Sequence, residues 1–183
     1  MRQKYGAPLR GVVVAITLSG LTGGARAQSV QSDFDRSFDF SKLKTFAFAP
    51  QQRGPNDPLA ANPLNDRRIR TALDSQLVAH GYTQDSTGAS DFLVAYHAAT
   101  RARTSLDAWG YGPGRWRGGR VDVNQYTEGT LIVDMVDPAS KQLVWRGTAT
   151  GTIQLKDVDK KIREAAKKLT ERFVKDSRSK GGS

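Results

Sequence analysis

Three groups of side chains in this sequence are of types that can do chemistry, and their spacing decides how far each can be taken. Asp134 stands in LIVDMV, where alternation puts Leu131, Val133 and Met135 on one side of a strand and Asp134 on the other. Arg146, in QLVWRG, lies opposite in face to Leu143 and Trp145. Asp137-Pro138-Ala139-Ser140-Lys141 between them is turn chemistry, with proline fixing φ. A hairpin closed by that turn puts Asp134 and Arg146 on one face, as a cross-strand pair worth ~0.2–1 kcal/mol. Glu128 and His97, on neighbouring strands, extend the group if the strands align. Two readings follow: an acid–base cluster of Asp134, Glu128 and His97 able to run a hydrolysis, or a solvated sheet face with ordinary salt bridges. The second requires nothing beyond the alternation, and it is preferred.

The next group is WGYGPGRWRGGR, residues 109–120, with two Trp, one Tyr, three Arg and five Gly. So much glycine excludes a stable helix or interior strand there. Trp109, Tyr111 and Trp116 can stack on a sugar ring, and Arg115 and Arg117 can pair with phosphate or carboxylate. The alternative is a connecting loop that folds its aromatics back on the sheet. The third group is the basic face of the last helical segment, Lys160, Lys161, Arg163, Lys167, Lys168 and Arg172 against Glu164 and Glu171. Such a face attracts anionic lipid or glycan, or is simply the solvent side of an amphipathic helix.

Other chemistries lack their residues. There is no cysteine, so disulfides, thiolate metal sites and Cys nucleophiles are excluded, as is an acylated lipobox anchor. His80 and His97 are isolated and show no HxxxH, HExxH or HxH spacing, so no metal site is expected. No GxSxG elbow, dinucleotide fingerprint or P-loop occurs, and no cofactor is expected.

Residues 1–27 have the layout of a secretory signal. Arg2, Lys4 and Arg10 precede the uncharged run GVVVAITLSGLT, and Ala25-Arg26-Ala27 puts small residues at −3 and −1. Cleavage is expected between Ala27 and Gln28, leaving a periplasmic or secreted chain with no transmembrane segment. The four basic residues lost with this segment take the net charge from +10 to +6. Arginine–aromatic interleaving is also how single-stranded nucleic acids are held, but export and this lower charge make nucleic acid a poor candidate partner.

The elements that must position these groups can be read in order. Residues 30–35 and 45–49 alternate as short strands. Residues 50–65 hold four Pro and read as irregular. Asn65 is expected to cap a helix with Ile69, Leu73 and Leu77 on one face, ended by Gly81. Strands are expected at 91–100, 127–136 and 142–153. Asp157 is expected to cap a final helix with the stripe Val158, Ile162, Ala165, Leu169 and Phe173 and a Glu164–Lys168 pair. Residues 28–175 then form one domain and 176–183 a disordered polar tail. The order β-β-α-β-β-β-α predicts an α+β fold: a two-layer sandwich, its sheet largely antiparallel, with two amphipathic helices on one face.

The segments DFDRSFDFSKLKTFAF, RIRTALDSQLVAHGY, DFLVAYHA and YTEGTLIVDMVDPASKQLVWRGTA, in that order, resemble the bacterial envelope family catalogued as domain of unknown function 4136. The match is strongest over Glu128–Gly147, and the resemblance covers roughly residues 30–175. It implies this fold and an exported envelope protein of no established activity; the loop, the sheet face and the missing catalytic constellation favour a non-catalytic protein that meets a glycan, an anionic lipid or a protein partner, with a hydrolase as the alternative. The resemblance carries no catalytic residues with it. Many members look like lipoproteins; the missing cysteine sets this chain apart from them.

Overall fold

A computed structural model describes residues 28–50, 59, 62–109 and 120–179, with backbone alone for 105–109 and 120–124. The described elements are β1 (Ser29–Phe34), β2 (Thr45–Phe48), α1 (Pro63–Ala79), β3 (Thr83–Gln84), β4 (Phe92–Trp109), β5 (Arg120–Val136), β6 (Leu143–Ile153) and α2 (Val158–Arg178). The strands form one sheet in the order β1-β6-β5-β4-β2-β3. β1, β6, β5 and β4 pair antiparallel in turn, while β2 runs parallel to both β4 and β3. The fold is therefore α+β with a mixed sheet. It has one more strand than expected, because Thr83 and Gln84, just after the end of α1, continue onto the edge of β2.

Alternation along the strands builds the core. Phe46, Phe92, Val94, Tyr96, Leu131, Val133, Met135, Trp145 and Ala149 face inward and meet Ile69, Leu73 and Leu77 of α1 and Ala165, Ala166, Leu169 and Phe173 of α2. Phe173 is the hub: its ring centroid lies 5.3 Å from Trp145, 5.6 Å from Phe92, 5.7 Å from Tyr82 and 6.3 Å from Phe40. Offset and edge-on aromatic contacts at such distances add to the area each ring buries.

Local chemistry sets the helix ends, with two departures from expectation. α1 starts earlier than Asn65. Asn62 is its cap, its side chain accepting from Asn65 N at 3.2 Å, and Pro63 takes the first helical position, where a missing N–H costs nothing. At the other end Gly81, at φ +95°, donates to Val78 O at 3.0 Å, and Tyr82 N donates to Leu77 O at 3.1 Å. That is the Schellman pattern, and it requires the left-handed residue. Asp157 does not cap α2 with its side chain. Leu155–Asp157 form a 3-10 turn, so Asp157 arrives at φ −110°, ψ 0° instead of the extended geometry a capping side chain needs. Glu164 pairs with Lys161 at 3.1 Å and Lys160 at 3.9 Å, while Lys168 Nζ donates to Gln28 O at 3.4 Å.

Two corrections concern strand phase and chain end. Leu143, expected inward, is 44% exposed. The register passes from Met135↔Trp145 to Val136↔Leu143, so Val144 is an extra residue, and this bulge reverses the phase beyond it. The segment read as a polar tail begins inside α2, which runs to Arg178. Asp176 is 6% exposed and accepts from Trp145 Nε1 at 3.1 Å and Ser32 Oγ at 2.7 Å. Arg172 Nε donates to Ser32 Oγ at 2.8 Å and lies 3.1 Å from Asp176 Oδ1, so one carboxylate joins α2, β6 and β1.

Candidate functional site on the outer sheet face and hairpin ribbon

The alternation that fills the core sends Asp33, Arg146, Asp134 and Ala95 to the opposite face, in one row across β1, β6, β5 and β4. Arg146 Nε and Nη2 reach the two oxygens of Asp134, each at 2.7 Å, a bidentate fork. Asp134 is buried although it sits on the outer face; the half-exposed Arg146 and the flanking strands cover it. The paired carboxylate raises the guanidinium pKa further, so Arg146 stays charged. The pair expected from the sequence is present in the expected register.

The wider cluster is not assembled. Glu128 lies six residues from Asp134 along β5, about 20 Å away at strand rise. It takes Arg103 of β4, with Nη2 at 3.0 Å and Nε at 3.2 Å from Oε1. His97 is opposite Ile132, exposed, and makes no hydrogen bond or ion pair among the described residues. Asp134, Glu128 and His97 thus share a face without converging on one point. Asp137 belongs to its turn: its carboxylate accepts from Ala139 N, Ser140 N and Ser140 Oγ, and these bonds hold its pKa below the ordinary value. Among the described residues no group of three His, Asp or Glu is placed to hold a metal ion.

Between the Asp134–Arg146 pair and the Arg103–Glu128 pair the outer face carries a polar trough of about 530 Å³. Its floor is hydroxyl and amide: Ser29 and Gln31 of β1, Thr148 and Thr150 of β6, and Thr130 of β5. Arg101, Arg103 and Glu128 form the wall toward β4. Of the residues noted in the sequence, Glu128 and the two arginines upstream of the glycine-rich stretch, Arg101 and Arg103, line this trough. The signal for the rest was present in GTATGT, residues 147–152, where Thr148, Thr150 and Thr152 alternate with Gly147, Ala149 and Gly151. Small residues face the core and hydroxyls face out.

The trough opens toward a ribbon. β4 and β5 remain paired out to Trp109↔Arg120, whereas β6 ends at Thr127↔Ile153. The seven pairs from Arg103↔Tyr126 to Trp109↔Arg120 have no other described strand beside them, and they extend about 20 Å beyond the sheet. The sequence reading ended these strands at residues 100 and 127; residues 101–104, just beyond, are all exposed, with no buried face to mark a strand in the sequence. Tyr111, Arg115, Trp116 and Arg117 lie outside the described residues, as does the Trp109 side chain. No described helix is long and apolar enough to cross a membrane.

Residues 30–173 match the family model described as "Domain of unknown function (DUF4136)". No curated protein matches in sequence. Among solved structures, a PDZ domain protein from Parabacteroides distasonis shares 13% identity at a TM-score of 0.54, covering 80% of this chain. The match takes in 36% of that protein's own chain. The PelC dodecamer from Paraburkholderia phytofirmans shares 11% identity at a TM-score of 0.42, over 78% of this chain and 94% of that one. At 13% identity the likeness to the PDZ domain protein concerns fold alone.

Proposed function

Since this chain belongs to the DUF4136 family, we propose that it is an exported, non-catalytic binding module of the Gram-negative cell envelope, cleaved between Ala27 and Gln28. Its binding surface is the β4–β5 ribbon with the tip residues Trp109, Tyr111, Arg115, Trp116 and Arg117, continued by the outer sheet face up to Arg146. The class of partner is a glycan or another anionic envelope component. The observation that carries this reading is the trough of about 530 Å³, floored by hydroxyl and amide groups and walled by arginine, lying at the root of the ribbon. Its volume is in the range of ligand sites, and its polar lining suits a hydroxyl-rich ligand better than an apolar one. A two-stranded ribbon is marginal in water by itself, which favours a role in contact with something else.

The test is co-sedimentation of the protein with purified sacculi and with outer-membrane vesicles. It is run beside a variant carrying Ala at 109, 115, 116 and 117, and beside Thr148→Val/Thr150→Val. Wild-type sedimentation with sacculi that both variants lose supports one continuous glycan site. Loss in the tip variant alone confines the site to the ribbon. Absence of binding to either material by the wild type refutes the proposal.

A further inference from the structure

A second recess lies on the other side of the sheet, near the start of both helices. The inward row Thr100–Gly129–Gly151 crosses β4, β5 and β6 with two glycines directly paired. Ile153 lies over Gly129, its Cγ2 3.0 Å from where a Cβ would stand, and Gln28 lies over Gly151, while the next row, Ala98–Leu131–Ala149, joins the cleft to the core. Above this floor stand Ile69 of α1 and Val158, Ile162 and Ala165 of α2, with Leu59 and Ile153 at the sides. Together they enclose a cleft of about 110 Å³, partly open to solvent, whose lining is predominantly apolar. That is the scale of an apolar protein cavity of about 150 Å³ known to take benzene. It suits the end of an alkyl chain, with the remainder leaving through the opening.

The polar lining includes Lys161, with Lys160 beside it in sequence, and Gln28 and Asn65. Lys160 and Lys161 share one acid, Glu164, at 3.9 Å and 3.1 Å. An apolar cleft with an ammonium in its lining is complementary to a single acyl chain bearing an anionic head. We propose that this cleft is an acyl-chain site for a single-chain anionic amphiphile, opening on the helix side of the sheet and sharing only Ala99, Thr100 and Thr130 with the lining of the trough.

The glycine floor makes the proposal testable. A Cβ at Gly151 would sit 3.3 Å from Gln28 Cγ, a side chain able to yield, with the Gln28 Cβ and backbone Cα at ordinary contact, 3.5 and 3.6 Å. Gly151→Val therefore fills the cleft while retaining a residue suited to a strand. The protein is titrated by calorimetry with decanoate below its micelle concentration, and with decyltrimethylammonium as the cationic control. Saturable one-to-one binding of decanoate is expected, weakened at least tenfold in Gly151→Val and at least fivefold when the head is cationic. Lys161→Gln, a surface change that leaves the floor intact, is expected to reduce the preference for decanoate over the cation to below twofold. No saturable binding by the wild type, equal affinity in Gly151→Val with an unchanged melting temperature, or equal affinity for both heads overturns the proposal. Should Gly151→Val fail to fold, Lys161→Gln decides: a preference as large as in the wild type counts against the site.

Discussion

At the scale of single residues, Gly147 and Asp176 carry more than their types suggest. A Cβ at Gly147 would lie 2.2 Å from Trp145 Cη2 and 2.8 Å from Leu169 Cδ2, because the indole lies across the position two residues on. Gly147→Ala is expected to destabilise by about 3 kcal/mol. The same change in a Trp145→Leu background is expected to cost less than half as much, as denaturant titration of the four proteins would show. Asp176→Ala leaves the buried Trp145 Nε1 without its acceptor and frees Ser32 and Arg172, at about 2–3 kcal/mol. Trp145→Phe/Asp176→Ala should then be less destabilised than the sum of its parts, since the orphaned donor has gone. Of these features the sequence shows the Asp134–Arg146 pair, because alternation and a recognisable turn suffice to set its register. It hides Asp176: KDSRSK has no apolar period, and that carboxylate is buried by donors 31 and 144 positions away.

At the scale of elements, the parallel β2–β4 contact depends on one carboxylate. Asp91, just before β4, accepts from Lys44 N at 2.9 Å, Thr45 N at 2.8 Å and Thr45 Oγ at 2.9 Å. The backbone N–H groups of Thr45 and Lys44 lower its pKa below the ordinary value. A carboxyl depressed on folding contributes stability above its unfolded value of about 3.9, and that contribution is lost as pH falls through the lower folded value. Asp91→Ala should therefore melt below the wild type at pH 7, and the gap should narrow steadily as pH drops from about 5 toward 2. Scanning calorimetry across that range checks it. Helix α1 is legible because periodicity and a left-handed glycine coincide at its end. The bulge at Val144 is not, since one extra residue leaves no mark in composition, and neither is β3, whose two residues are held by the neighbouring strand.

At the scale of the molecule, the ribbon and the body are separable. Among the described residues, the body's core, gathered around Phe173, includes none of residues 103, 104, 125 and 126. Replacing residues 104–125 by a two-residue Asn-Gly turn should leave the melting temperature within about 3 °C of the wild type while abolishing sedimentation with sacculi. A fall of 10 °C or more would instead make the ribbon part of the fold. The overall α+β architecture was readable from two amphipathic stripes and alternating strands. Strand order was not, because β1 and β2 are adjacent in sequence yet lie at opposite sides of the sheet, a separation set by which neighbour each finds.

The contact of Ser32 with Asp176 and Arg172 also bears on timing. A chain made from its N-terminus offers β1 early, but β6, which pairs with β1, and the last turn of α2, which fixes Ser32, come late. β1 therefore has no partner until nearly all of the chain has been synthesised, and the sheet cannot be completed before then. Under the proposed export, this order leaves the sheet incomplete while the chain is threaded through a membrane.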